Sequence, residues 1–500
     1  MNKALNDYIA ELDKHGLIIK TDVYGREKDI VSSITYDSKA VSKDTLFVCK
    51  GAAFKKEYLE DAMRKGAVCY VSEKEYDIPD APHIIVSDIR SAMPYIARMH
   101  YMIPDDLCCI GITGTKGKTT TAYYMKAVFD KALKREKRPE AGFITTVETY
   151  DGKERISSGI TTPEAFEIYR HFRNAYDSGI RHMIMEFSSQ ALKYKRVQGV
   201  RLDYGIFLNI SEDHISPIEH PDFNDYFSSK LKIFSQCRTA VICTDSPYAK
   251  EIADAAKTAK KIITFGFSES ADIRGRNIRS RGRATDFTVD IFGRSYDLTL
   301  NMRGEFNVEN ALAVIAVANE EGIPIEEIRS TFESISVPGR GEEYESSDKK
   351  LHVIVDYAHN GFSFRSIIGT AKRAWPDSRI ITIFGCTGGK ALNRRKDMGI
   401  SAGEMSDHIY LTADDPANEK IEDICKDIGA YIDGTGCGYT IVPDRESAIR
   451  MAIGEADGPT AILILGKGCE TTQRTANGIE SYPSDAVVAK DALAKYDKER

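Results

Sequence analysis

The run Gly111-Ile112-Thr113-Gly114-Thr115-Lys116-Gly117-Lys118-Thr119-Thr120-Thr121 follows an apolar stretch at residues 107–110 and opens a helical pattern. That order describes a phosphate cradle between a strand and a helix. Glycines let backbone N–H groups approach a polyphosphate, and the helix N-terminus favours its charge. Lys118 is suited to the β/γ oxygens and Thr119 to Mg²⁺. ATP is the ligand expected over Gly114, Thr115, Lys116, Gly117, Lys118, Thr119 and Thr120. Gly111 stands one residue farther from the Gly117-Lys118 pair than the usual pattern has it, so the loop is a variant. A ligand-free glycine turn is the plain alternative, and the strand, the Gly-Lys-Thr triplet and the helix together argue against it.

In open α/β sheets ligands gather beyond the carboxyl ends of strands, so polar residues placed just after apolar runs invite a functional reading. Residues 183–185 lead into Glu186-Phe187-Ser188-Ser189-Gln190, and 204–208 into Asn209-Ile210-Ser211-Glu212-Asp213-His214. Glu186 is a candidate to join Thr119 on Mg²⁺, and His214 to hold a second metal ion. Taken alone, Glu186 also reads as a capping carboxylate, and a loop histidine is the favoured reading of His214; their place at strand ends in the block carrying the ATP loop moves the balance toward function.

Elements must position these groups. At 500 residues the chain is too long for one core, and at ~150 residues per domain about three are expected. Short strands at 45–49, 67–71 and 84–86 precede a break at 102–106, and Val337-Pro338-Gly339-Arg340-Gly341 interrupts the pattern before strands at 351–355, 379–384, 408–411 and 461–465. The expected blocks are 1–105, 106–337 and 338–500, each built on alternating strands and helices with largely parallel sheets. A net charge of −7 opposes a general nucleic-acid binder. The basic tract from Arg274 to Arg283 is an RNA-binding arm or, as the alternating strands at 287–291 and 296–300 favour, the solvated face of a β-ribbon. Ten cysteines without framework spacing suit reduced thiols, and no apolar run nears the ~20 residues of a membrane span. A soluble cytoplasmic protein, monomeric and without nucleic-acid or membrane partners, is expected.

Further motifs give the chain a resemblance to the Mur ligase family, in its E-type branch. Beside the loop, Thr161-Thr162-Pro163, Met185-Glu186-Phe187-Ser188-Ser189, Asn209 to His214, Gly304-Glu305-Phe306-Asn307, Pro338-Gly339-Arg340 and Asp356-Tyr357-Ala358-His359 are similar to the family's motifs. Tyr36-Asp37-Ser38-Lys39 resembles the UDP-binding module particular to that branch. The resemblance covers nearly the whole chain. It implies a three-domain α/β architecture: a UDP-substrate domain at 1–105, a central P-loop ATPase domain at 106–337 and a Rossmann-like amino-acid domain at 338–500. It implies an ATP-dependent ligase that phosphorylates the D-Glu side-chain carboxylate of UDP-MurNAc-L-Ala-D-Glu and lets an amine attack the acyl phosphate, in peptidoglycan precursor synthesis.

The same resemblance assigns residues. Lys118, Glu186, His214 and Lys230 are catalytic, with Thr119, Glu186, His214 and a carbamylated Lys230 on Mg²⁺; an ammonium cannot ligate a cation, whereas a carbamate can. From its own surroundings Lys230 would be an exposed helix residue. Asn307, Arg340 and Asp356 would join the ATP loop, while Ser38, Thr161, Thr162, Ser188, Ser189 and Arg196 would hold the UDP substrate. For the amino acid the resemblance points to Lys390, Asp414, Asp415, Ala417 and Glu470. Members using meso-diaminopimelate typically carry Asp-Asn-Pro-Arg where this chain has Asp414-Asp415-Pro416-Ala417. An arginine grips a second carboxylate bidentately, whereas lysine ends in an ammonium that needs acids, for which Asp414 and Glu470 are suited. Cys469 stands for a common histidine, Asn360-Gly361 for Thr-Pro, and Lys390 for a carboxylate-binding arginine that Arg394 or Arg395 is placed to replace. L-Lysine is the expected acceptor. Meso-diaminopimelate or another diamino acid is the alternative; a folylpolyglutamate or cyanophycin-type ligase and a P-loop ATPase doing conformational work are rival readings.

Overall fold

Each apolar run singled out as a strand forms one in the computed structural model, which describes residues 3–51, 53–104, 106–216, 219–390 and 392–499. The chain divides into two compact units: Met1–Ser211 with Asn224–Thr264, and Glu212–Phe223 with Phe265–Arg500.

The first unit holds a five-stranded sheet in the order Ile18–Asp22, His83–Val86, Ala67–Ser72, Thr45–Val48, Ser33–Thr35, parallel except at its first pair. Every position of its three inner strands is buried, as parallel strands covered on both faces require. A second sheet sets Gly142–Ile144, His182–Glu186, Cys108–Thr113, Leu202–Phe207 and Cys237–Cys243 side by side, with parallel neighbours. Cys108–Thr113 lies between the strands that end on Glu186 and on Phe207, so its own end, the phosphate loop, meets both flanking strand ends. Helix Lys118–Arg135 then turns back, burying residues such as Tyr124, Met125, Val128 and Phe129.

In the second unit, Phe265 and Gly266 pair with Ile273–Arg281, which continues antiparallel through Ala284–Ile291 and Arg294–Leu300. The basic tract is thus the ribbon that alternation predicts. Arg274, Arg276 and Arg281 are paired with Glu269, Asp290 and Asp286. Beyond it stands a six-stranded sheet in the order Glu342–Glu345, Leu351–Asp356, Thr460–Leu465, Arg379–Phe384, His408–Leu411, Gly438–Ile441, parallel except at its first pair. Side chains alternate between two cores: Ile380 and Phe384 pack with helices Gly361–Ala374, Asn393–Met405 and Ile421–Ile432, whereas Ile381 and Ile383 pack with Arg445–Gly454 and Asp485–Glu499. Helices on both faces make this a doubly wound, Rossmann-like sheet.

One ion pair pins the carboxyl ends of that sheet. Arg445 Nε and Nη2 donate to the two oxygens of Asp485 at 2.7 and 2.8 Å, and Nη1 donates to Ala413 O at 3.0 Å. Both partners are buried, and Tyr482 Oη adds a bond to Asp485 at 2.7 Å. Asp485→Ala leaves the guanidinium buried without its carboxylate, so this variant should lose about 3–5 kcal/mol of stability, read as a lowered urea midpoint.

Candidate active site

The loop after Cys108–Thr113 closes through residues that only its fold brings near. Gly114 and Gly117 both have positive φ, 153° and 83°, and a Cβ on Gly114 would stand 3.0 Å from Leu208 Cβ. Asn209, from the next strand end, braces the loop: its Oδ1 accepts from Lys116 N at 2.9 Å and its backbone carbonyl from Thr115 N at 3.0 Å. Lys118 Nζ folds over the loop onto Gly114 O and Thr115 O, at 2.9 and 3.1 Å. Thr119, in the first turn of its helix, donates to Glu186 Oε1 at 2.9 Å. Glu186 is fully buried and also accepts from Thr146 N and Thr146 Oγ1. A hydroxyl and a carboxylate that meet at a helix N-terminus beside a lysine fit a Mg-nucleotide.

Lys230 differs from the exposed helix residue its local sequence describes. It lies on helix Phe223–Leu231, is 2% exposed, and donates from Nζ to Gly114 O at 2.8 Å. Its neighbour Tyr226 donates to Thr115 Oγ1. The helix therefore delivers an amine to the phosphate loop, an arrangement that periodicity alone does not signal.

Most of the residues expected to hold a second substrate are joined by hydrogen bonds and ion pairs within the same unit. Thr162 Oγ1 donates to Glu186 O and accepts from Ser188 N, while Arg196 Nη1 donates to Thr162 O at 3.2 Å. Thr161 accepts from Thr146. Ser188 caps the short helix that Ser189 begins. Arg196 and Lys50 both pair with Glu164, at 2.9 and 2.6 Å, and Lys50 lies over the Tyr36 ring. Tyr36 donates to Glu167, and Ser38, two residues on, starts a short 3-10 helix.

The second unit assembles a different site beyond its strand ends. Lys467, fully buried after strand Thr460–Leu465, donates to Asp415 Oδ1 at 2.9 Å and Glu470 Oε2 at 2.8 Å. Burial works against its ammonium, but Asp414, Glu470 and Asp415 outweigh that effect and raise its pKa. Burial pushes the Asp414 and Glu470 carboxyls up, against the pull of Lys467. Among the described residues no side chain donates a hydrogen bond to the Asp414 carboxylate. The loop at 385–389 presses close: a Cβ on Gly388 would stand 1.9 Å from Pro416 O. Ala417 adopts a left-handed φ of 52° and donates from N to Arg474 O, and Gln473 Nε2 donates to Asp414 O, so strand Thr472–Thr475 seats the whole segment.

Arg340 stacks over Tyr357 at 4.3 Å, and Asp356 accepts from Gly341 N and Ala358 N. Asn307 is buried with its Nδ2 on Arg303 O. His214, at a φ of 57°, places Nδ1 3.0 Å from Glu219 Oε1. Its neighbour Asp213 accepts from Arg394 Nη2 at 2.8 Å and Asn360 Nδ2 at 3.0 Å. Arg394 is thereby committed to Asp213, and Arg395 to Glu419 and Asp427. Both guanidinium groups are thus paired within the unit, and Lys390 is exposed.

Residues 112–318 match the Mur ligase middle domain, and residues 339–468 match the Mur ligase glutamate ligase domain. The chain belongs to the Mur ligase family. A UDP-N-acetylmuramyl-tripeptide synthetase of Lactobacillus delbrueckii subsp. bulgaricus is 34% identical, with 100% of each chain covered. A UDP-N-acetylmuramoyl-L-alanyl-D-glutamate–L-lysine ligase of Enterococcus faecalis is 37% identical over 95% of this chain and 94% of its own. Among solved structures, a UDP-N-acetylmuramoyl-L-alanyl-D-glutamate–2,6-diaminopimelate ligase superposes with a TM-score of 0.66 at 22% identity, covering 99% of each chain, and shares the fold.

As a Mur ligase the chain is an ATP-dependent ligase, and the phosphate loop is where its sequence and geometry agree most closely. Lys467 and the Asp213–Arg394–Asn360 contact went unassigned in the sequence; a lysine between two glycines directly after an apolar strand was the available signal for the first. Lys118→Ala should lower the ligation rate by at least about a hundredfold, since it removes a charge aimed at the transferred phosphoryl group. Its unfolding midpoint should stay near that of the unmodified protein, because the Nζ lies at the phosphate loop, on the Gly114 and Thr115 carbonyls, and not in a core.

Proposed function

We propose that this Mur ligase adds L-lysine to the D-Glu side-chain carboxylate of UDP-MurNAc-L-Ala-D-Glu. The observation that carries the reading is the charge around Lys467: Asp414, Asp415 and Glu470 are three carboxylates against one ammonium. The Arg445–Asp485 pair beside them is internally neutral. A site with that excess accepts the ε-ammonium of lysine and repels the distal carboxylate of meso-diaminopimelate. Ala417 offers that carboxylate no cation. Lys390, on the turn after Gly389, would take the α-carboxylate, leaving the α-amine to attack. The relatives named as L-lysine ligases support the same acceptor.

ATP converts the D-Glu carboxylate from a poor acyl donor into an acyl phosphate; the loop N–H groups and Lys118 would stabilise charge on the transferred phosphoryl group, and aminolysis releases phosphate. Thr119, Glu186, His214 and a carbamylated Lys230 would hold Mg²⁺, which supplies charge neutralisation to that transfer. Ser38, Thr161, Thr162, Ser188, Ser189 and Arg196 would hold the UDP substrate; Asn307, Arg340 and Asp356 would contact the nucleotide. The working blocks are 1–105 for the UDP substrate, 106–337 for ATP and 338–500 for the amino acid. No helix among the described residues is long and apolar enough to cross a membrane. We place the enzyme in the cytoplasm as a monomer, making peptidoglycan precursor and so supporting cell shape and division.

The direct test supplies ATP, Mg²⁺ and UDP-MurNAc-dipeptide with lysine, meso-diaminopimelate or ornithine, and weighs the product. Lysine should give the expected tripeptide mass; product only from diaminopimelate refutes the lysine assignment and leaves the ligase intact. Acidification supplies a second check. Because burial raises the Asp414 and Glu470 pKa values, protonation removes their charge at higher pH than for free carboxylates. The KM for lysine should therefore begin to climb on acidification at a pH where free carboxylates are still charged, more steeply than the KM for ATP; parallel changes would disconnect these acids from lysine. Lys230→Ala should be inactive and partly rescued by short carboxylates, with full activity in bicarbonate-free buffer counting against the carbamate.

A further inference from the structure

The basic tract is absorbed by the ribbon except at its end. Arg283, at the turn between Ile273–Arg281 and Ala284–Ile291, lines a cavity of about 520 Å³ together with Ser280, Arg303, Arg373, His352 and Trp375. That volume falls within the range of about 300–1,000 Å³ usual for small-ligand pockets. Its charges do not balance. Arg303 Nε pairs with Glu343 Oε1 at 2.5 Å and its guanidinium lies 4.7 Å over the Trp375 ring. Arg283 reaches Glu343 twice, with Nη1 donating to its carbonyl oxygen at 3.3 Å and Nε a loose 3.7 Å from Oε2, and Glu343 Oε2 is buried without a hydrogen bond. Arg373 donates to Thr370 Oγ1 one turn back at 3.3 Å, and no carboxylate among the described residues pairs with it. The other acid, Glu345, is 3.2 Å from His352 Nδ1, whose ring stacks on Trp375 at 4.3 Å. Burial favours the neutral form of His352. Three guanidinium groups against Glu343 and Glu345 leave one positive charge in excess, and Arg283 and Arg373 are exposed.

We propose that this cavity is a second, non-catalytic site for a small phosphate-bearing anion, gripped by Arg283, Arg303 and Arg373 with Ser280 Oγ as a further donor. A phosphate offers more acceptor oxygens than a carboxylate, so several planar guanidinium forks can each find a partner. Turning Arg283 to the ligand gives up its 3.3 Å bond to Glu343 O and the loose contact with Oε2, while Arg303 keeps its pair with Glu343. Occupancy reaches the rest of the unit through two neighbours in sequence. Arg303 directly precedes Gly304, which opens the helix carrying Asn307, and Glu343 follows the segment of Arg340.

Trp375 is the chain's one tryptophan, so its emission reports on this cavity alone. The full-length enzyme is titrated with inorganic phosphate, pyrophosphate and glycerol phosphate at constant ionic strength, with potassium chloride as the control. A saturable emission change is expected; it should weaken roughly tenfold in Arg373→Ala and in Arg283→Ala, the loss of one charge-assisted contact. Lys118→Ala should titrate like the unmodified enzyme, and Arg373→Ala should retain its rate of ligation without added anion. A preference for inorganic phosphate assigns the free ion and a preference for glycerol phosphate a phosphomonoester; either upholds the site. A response equal to that of chloride, curves unchanged in both arginine variants, or loss of the response in Lys118→Ala would each overturn it.

Discussion

A buried ammonium must be surrounded by its own counter-charges, and much of the second unit is arranged to meet that demand at Lys467. The side chain is fully buried, yet Asp415 and Glu470 reach its Nζ and Asp414 lies within its field. Bringing them together requires backbone that passes side chains at short range. Gly466 has a φ of 114°, and a Cβ there would stand 2.6 Å from Asp414 Oδ2. Gly339 is as tight on the other side, where a Cβ would meet Cys469 N at 2.3 Å. The segment carrying Arg340 therefore rests on the loop that carries Lys467 and Glu470. One charge constraint thus couples the acids suited to an amino-acid substrate to the arginine suited to a nucleotide.

The first unit solves a different problem with a single carboxylate. Glu186 is fully buried at a strand end and is kept there by Thr119, by the backbone and hydroxyl of Thr146, and by its own carbonyl on Thr162. Those donors come from the phosphate loop helix, the neighbouring strand end and the Thr161-Thr162 segment. Three parts of the site are registered against one another through a group that can also ligate a cation. Truncating the side chain would leave the Thr119 and Thr146 donors in place without their acceptor, a larger loss than any one hydrogen bond.

How much of this was legible in the sequence follows from the physics of each part. Parallel strands buried on both faces are continuous apolar runs, so Cys108–Thr113, Arg379–Phe384 and Thr460–Leu465 announced themselves, and the polar residues at their ends marked the sites. Strand Gly438–Ile441 and the hairpin of Thr472–Thr475 with Gly478–Ser481 bury little and gave no such signal. Lys230 was recognisable only through resemblance, because its burial comes from a loop more than a hundred residues away in sequence. Arg394 and Arg395 looked available as substrate ligands because sequence shows no partners; Asp213, Glu419 and Asp427 reach them only in the folded unit.

The central claim is that the uncompensated negative charge around Lys467 selects an acceptor ending in an ammonium. The measurement closest to it compares kcat/KM for L-lysine and for L-norleucine, which has nearly the same shape without the charge, in the unmodified enzyme and in Glu470→Gln. The account predicts a preference for lysine of at least about a hundredfold that shrinks sharply in the variant, as expected when a charged contact is removed from one side of a buried pair. Equal use of the two amino acids by the unmodified enzyme, or a preference untouched by Glu470→Gln, would contradict it.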